Sequence, residues 1–259
     1  MVHSDNNPAH FPMEPWHSLT EVQSPVQPIP GRVPANVPRT DEKSSVQPPD
    51  PVHSHRAAAS PDLTKILHDT FTYPNDNIRT RIPRLSMSVR VFENAKLEGL
   101  EKKFIIESAA GATTYLIPLP KAFEAFGFPC PYKRDVSPEH SYFVGLGQYL
   151  LKQDPANKAV HTELKVGDSG CTADIVTVAH DGARRAYELT LSTTNILSNA
   201  AKYAHTDFVQ IVFLCRDQKL RDAVRAYCRE GGLDAGLLAK LDYIQLSTLV
   251  RRQRRSSQQ

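Results

Sequence analysis

The stretch Thr172-Ala-Asp-Ile-Val-Thr-Val-Ala-His-Asp-Gly-Ala-Arg-Arg-Ala-Tyr-Glu-Leu-Thr190 decides how the C-terminal half of this chain folds. Ile175, Val176 and Val178 are strand formers, as are Tyr187, Leu189 and Leu191, and Asp181-Gly182 between them is a strong hairpin signal. Register then determines what the hairpin presents. If His180, Asp181 and Gly182 form a three-residue loop with Gly182 left-handed, Ala179 pairs with Ala183 and Asp174 lies opposite Glu188. Thr190 then shares their face. A strict two-residue turn would send the two carboxylates to opposite faces. We expect the first register. It sets two like charges side by side, which is costly unless a cation or a shared proton intervenes.

The flanking sequence supplies the rest of a second domain, expected over residues 136–250. Ser137-Pro138-Glu139 is a helix start, with Ser137 as cap, and the helix runs through Leu151, burying Phe143, Val144, Leu146 and Leu150. Val160 to Val166 reads as a strand with Glu163 and Lys165 on one face. After the hairpin, Ser192 to Tyr203 reads as a helix whose polar stripe is Asn195, Asn199 and Lys202, beside an apolar stripe of Ile196, Ala200 and Tyr203. Phe208 to Cys215 suits a buried central strand, and Gln218 to Glu230 a helix ended by Gly231-Gly232. Leu237 to Leu249 continues the packing, and residues 251–259 form a basic tail around Arg251, Arg252, Arg254 and Arg255.

The order helix, strand, strand with Asp174, strand with Glu188-x-Thr190, then helix resembles the restriction-endonuclease-like PD-(D/E)xK superfamily. That resemblance implies an α/β sandwich around a mixed central sheet, with Asp174 and Glu188 as ligands of a catalytic Mg²⁺ and Glu163 as a third. In that family the residue two after the glutamate is usually lysine; here it is Thr190, whose hydroxyl supplies no cation at neutral pH. Some members carry the lysine on the following helix, which would make Lys202 the replacement. The plainer readings are an exposed lysine at 202 and an exposed strand residue at 163. Glu139 matches an accessory acidic position in the resemblance, and the helix dipole accounts for it equally well.

Residues 61–132 read as three helices and a hairpin. A helix opens at Pro61-Asp62, a second spans Asn77 to Leu85 with a bend near Pro83, and Ser88 caps a third running to Lys103. Strands from Phe104 and from Thr113 flank a turn at Ala109–Ala112, and Lys121 to Phe126 adds a helical turn. The whole resembles a winged helix-turn-helix domain. That implies a third helix in the major groove of DNA and a wing along the backbone. Arg79, Arg81, Arg84 and Arg90, extended by Lys96, are the expected DNA contacts, although Glu93, Glu98 and Glu101 partly cancel the charge. A solvated helix in a protein-interaction module is the alternative.

Composition narrows the remaining choices. Residues 1–60 hold 11 of the 20 prolines, carry 4 basic and 6 acidic side chains, and show no sustained period, so a disordered, dispensable tail is expected, with Trp16 as the candidate for docking on a partner. The net charge of +3 therefore leaves a mild basic excess beyond residue 60, which permits nucleic-acid binding without demanding it. Cys130, Cys171, Cys215 and Cys228 lack zinc spacing and read as reduced thiols of a cytoplasmic protein. No apolar run is long enough to span a bilayer, and no glycine-rich phosphate loop or nucleophile motif is present.

Two functions follow. One is a DNA-binding protein with a winged helix and a nuclease-like domain that no longer cuts. The other is a Mg²⁺-dependent DNA endonuclease using Asp174 and Glu188, assisted by Thr190, Glu163 or Lys202. Homodimerisation follows from the two-fold symmetry that both domain types bring to duplex DNA. The pairing of the two resemblances further implies a mobile-element DNA-processing system with a DNA-translocating ATPase as partner.

Overall fold

The computed structural model describes residues 59–167 and 170–256, with no side-chain description beyond residue 253. The expected tail, Trp16 included, lies outside the described residues apart from Ala59 and Ser60. The described residues form one compact unit of mixed α/β content.

Three helices come first: α1 (Pro61–Thr72), α2 (Ile78–Arg84) and α3 (Val89–Glu101). Each starts on a polar cap, with the Ser60, Asn77 and Ser88 side chains accepting from the backbone N–H of Leu63, Thr80 and Val91. Strands β1 (Ile105–Ala110) and β2 (Thr113–Pro118) form an antiparallel hairpin, followed by α4 (Pro120–Phe126). The hairpin has two buried faces. Ile105 and Leu116 join Leu63, Ile66, Phe92 and Phe104 in the helical core. Ala110, Tyr115 and Ile117 instead enter the core of the large sheet. The hairpin thus contributes apolar side chains to two cores, while Glu107 and Ala109 stay exposed.

Helix α5 (Pro138–Lys152) leads into β3 (Asn157–Lys165), β4 (Thr172–Ala179) and β5 (Arg184–Thr190). Then come α6 (Ile196–Ala201), β6 (Gln210–Cys215), α7 (Gln218–Glu230), α8 (Ala235–Lys240), β7 (Leu241–Gln245) and α9 (Leu246–Ser256). The sheet order is β3-β4-β5-β6-β7, antiparallel through β5 and parallel from β5 to β7. A parallel step needs a crossover, and α6 and then α7–α8 supply the two. One sheet face packs Phe143, Leu146 and Leu150 of α5 and Leu249 of α9 on Ile175, Tyr187, Leu189, Val212 and Leu214. The other packs Ile196, Ala200 and Val224 on Phe213, and Tyr203 and Leu237 among Val176, Ala186 and Ile211.

Strand β7 was not expected from the sequence. Leu241-Asp-Tyr-Ile-Gln245 alternates poorly and becomes a strand because β6 offers it a parallel edge. The basic cluster expected as a tail continues α9, which runs to Ser256.

The hairpin of β4 and β5 has the register expected from its turn. Ala179 N–H donates to Ala183 O at 2.9 Å, Gly182 N–H to Ala179 O at 3.0 Å, and Gly182 has φ +86°. The pairs Val178↔Arg184 to Ile175↔Tyr187 follow, a parity that puts Asp174 and Glu188 on one face, just past the last pair. Glu163, on β3, falls in the same row, between the pairs Thr162↔Ile175 and Leu164↔Ala173.

Candidate functional site

At Asp174 the two strands part. In an antiparallel ladder every second pair exchanges both hydrogen bonds, and continuation would direct the Leu189 N–H to the backbone of β4. The paired register stops at Ile175↔Tyr187, and Leu189 N–H donates instead to Asp174 Oδ2 at 2.8 Å. A carboxylate thus replaces a backbone acceptor, which fixes its orientation. Its Oδ1 lies 3.3 Å from Nε2 of His140, in the first turn of α5. The Asp174 carboxylate beside it holds the His140 imidazole above its usual value, against the opposing effect of burial.

Glu188 is 3% exposed. Its Oε2 accepts from Lys202 Nζ at 2.9 Å, and its Oε1 accepts from the Tyr203 hydroxyl. Lys202 Nζ also donates to Thr172 O at 2.6 Å. Burial, reinforced by the negative charge of Asp174, pushes the Glu188 carboxyl up to about 7; Lys202 and the Tyr203 hydrogen bond act in the opposite sense. Burial, with Glu188 alongside, also raises the Tyr203 hydroxyl. The cost of converging carboxylates is therefore met by one ammonium, one phenol, one imidazole and a partly retained proton.

The structure thus assembles Asp174, Glu188 and Lys202 at one point. Asn195, in the left-handed region at φ +62°, starts α6, and Lys202 follows that helix as its C-cap, which turns the lysine back to the strand end. Thr190 is buried, and its hydroxyl donates to the Glu188 carbonyl at 3.3 Å. Glu163 stands apart: its backbone is left-handed at φ +54° and its carboxylate forms an ion pair with Lys133. Two carboxylates on adjacent strands are the hard oxygen donors that Mg²⁺ takes, and that ion keeps several waters and needs only one or two carboxylates. Asp174, with 22% of its side chain exposed, and Glu188 Oε2 fit that role. No group of three or more His, Cys, Asp or Glu side chains converges on one metal position among the described residues.

His140 and Tyr203 are the members that sequence reasoning did not single out. Tyr203 read as part of an apolar stripe, and its hydroxyl was the available signal. Nothing local marks His140, because its role depends on how α5 crosses the end of β4.

The expected DNA contacts divide into two sets. Arg81 is fully buried, donating to Asp69 Oδ2 at 2.5 Å and Tyr73 O at 2.7 Å. Arg84 donates to Asp69 at 2.6 and 2.9 Å, pairs with Asp76, and lies 4.1 Å over the Tyr73 ring. Lys96 is buried between Glu93 at 2.7 Å and Glu107 at 3.0 Å. These three cations hold the helical layer together. Arg79 and Arg90 are exposed.

The tip of the β1–β2 hairpin is also engaged within the chain. Gly111 N–H donates to Arg216 O at 3.0 Å, and Arg216 N–H donates to Thr190 O at 3.3 Å. Ser108 donates to Glu139 Oε1 at 2.5 Å, and the same oxygen lies 3.6 Å from Arg216. Glu139 thus ties the hairpin and the end of β6 to the start of α5. A β-carbon at Gly111 would lie 2.8 Å from Ser247 Oγ. The hairpin braces the end of the sheet that carries Asp174 and Glu188.

No family model matches the chain, and neither a curated protein nor a solved structure matches it.

Proposed function

We propose that this chain is a nucleic-acid-binding protein whose mixed sheet carries a PD-(D/E)xK-like centre for metal-assisted phosphodiester hydrolysis. The observation that carries the reading is Lys202 Nζ on Glu188 Oε2 at 2.9 Å. The cation absent from the position two residues after the glutamate returns from α6, and the acidic pair regains the partner that such chemistry uses. A Mg²⁺ held by Asp174 and Glu188 would polarise a phosphoryl oxygen and make its bound water a stronger acid. The chain's own contributions are geometric and electrostatic. Leu189 N–H orients Asp174, Tyr203 and Lys202 orient Glu188, and the ammonium supplies positive charge beside the carboxylates. In this reading α1–α3 with the hairpin form a winged-helix-like layer that buttresses the site.

A second reading is a nucleic-acid-binding module that does not cut. It is favoured by the fact that every oxygen of Asp174 and Glu188 already faces a protein partner. One experiment separates the two: cleavage of single-stranded, duplex and branched DNA with Mg²⁺ or Mn²⁺, using wild type, Asp174→Ala, Glu188→Ala and Lys202→Met. Metal-dependent cutting abolished in all three variants is expected. Binding without cutting, unchanged by the substitutions, would leave only the second reading.

A further inference from the structure

The positive surface of this protein is not where a winged helix would carry it. Helix α3 holds two basic and three acidic side chains, and its Lys96 is buried in ion pairs. Helix α7 holds four basic and two acidic ones. Its Arg221, Arg225 and Arg229 recur every four residues, so they form one stripe with an axial spacing of about 6 Å. Like charges at that spacing repel. Arg221 is relieved by Asp222 at 2.8 Å, whereas Arg225 and Arg229 take part in no ion pair among the described residues.

Those two arginines line an open cleft of about 480 Å³ between α7 and the edge strand β7, with Tyr243, Asp242, Leu238 and Leu241. Asp242 is the acidic side chain in this lining, and it accepts from Gln210 Nε2 at 3.2 Å and from Tyr243 N–H at 2.8 Å. Tyr243 is stacked on Phe213 with ring centroids 5.8 Å apart, and the Arg225 guanidinium lies 5.5 Å from its centroid. The aromatic ring is therefore occupied, and what the cleft offers is unneutralised guanidinium. A guanidinium presents paired N–H donors that match the oxygens of a phosphate.

We propose that the phosphodiester backbone of a nucleic-acid strand seats along the Arg221–Arg225–Arg229 stripe and against the β7 edge, anchoring the substrate of the centre on β4 and β5. The inference rests on the nucleic-acid reading above and names the surface that reading lacks.

The test uses the full chain and a fluorescent single strand of about 20 nucleotides, with affinity measured across a salt series. Two lost phosphate contacts lower the slope of log K against log salt by about 1.4 for a single strand. At 0.15 M salt that corresponds to an affinity about tenfold weaker. This is the result expected for the double variant Arg225→Gln/Arg229→Gln, with a thermal melt confirming that it folds. Arg225→Lys/Arg229→Lys should retain the slope. A glutamine variant that binds like wild type, while Arg79→Gln/Arg90→Gln loses affinity, would overturn the α7 assignment and leave the nucleic-acid reading standing. A wild type that binds neither single strand nor duplex would overturn both. Equal competition by inorganic phosphate at matched ionic strength would refute the strand in favour of a small-anion site.

Discussion

Replacing Glu188 with glutamine probes the most displaced carboxyl of the site through the stability of the whole fold. Its value moves from an ordinary 4.5 to about 7, with burial first among the causes and Asp174 second. At about 1.4 kcal/mol for each pH unit, that gap comes to about 3 kcal/mol. The folded chain binds this proton more tightly than the unfolded chain does. The contribution is therefore complete below pH 4.5 and is lost as the pH rises through about 7. Glutamine is neutral throughout, so the variant lacks this decline. The stability difference between wild type and Glu188→Gln should shift by about 3 kcal/mol between pH 4.5 and 8, to the disadvantage of wild type at the higher pH. For a unit of this size that is a relative change in Tm of about 6–12 °C. Urea and thermal unfolding followed by circular dichroism at stepped pH measure it directly. The raised His140 adds a decline of the same sign in both proteins; the Glu188 charge is one of the causes that raise it, so the difference reports Glu188 together with its share of the His140 shift. A constant offset between the two curves would refute the buried, proton-retaining carboxyl.

Tyr203→Phe removes a hydrogen bond that favours the Glu188 anion, so the midpoint of the same decline should move to higher pH; an unchanged midpoint would dismiss the phenol as a partner. Mg²⁺ should raise the Tm of wild type more at pH 8 than at pH 5.5, because its ligands must be deprotonated, and Asp174→Ala should abolish the effect. Asp69→Ala strips the buried Arg81 of its counter-charge and should cost about 3–5 kcal/mol in chemical denaturation. Arg90→Ala, on an exposed side chain, should stay within about 0.5 kcal/mol, and comparable losses in the two would contradict the division of the arginines. Gly182→Ala forces a β-carbon into the left-handed region and should cost about 1 kcal/mol, read as faster hydrogen exchange of the Ala179 amide; an unchanged rate would mean the turn tolerates it.

Short-range chemistry alone determined a good deal of this protein. Ser60, Asn77, Ser88, Ser137 and Asp217 start their helices through a side chain three residues from its N–H partner. The parity of the Asp181-Gly182 turn was enough to put Asp174 and Glu188 on one face, because a hairpin register propagates from its loop. Lys202 came forward only through the family resemblance, against the plainer reading of an exposed lysine, and the fold is what sets its Nζ on Glu188. What no window of sequence contained was decided by tertiary packing. Arg81, Arg84 and Lys96 look like surface cations until distant carboxylates fold over them, because burial belongs to the assembled layers and not to the helix that bears the charge. Strand β7 exists only where β6 presents an edge, the hairpin tip reaches Arg216 only once both layers share a core, and His140 meets Asp174 only because α5 crosses that strand end. Local propensity acts over a few residues, whereas the partners of a buried charge or an edge strand lie tens of residues away, and only the closed fold brings them within hydrogen-bonding reach.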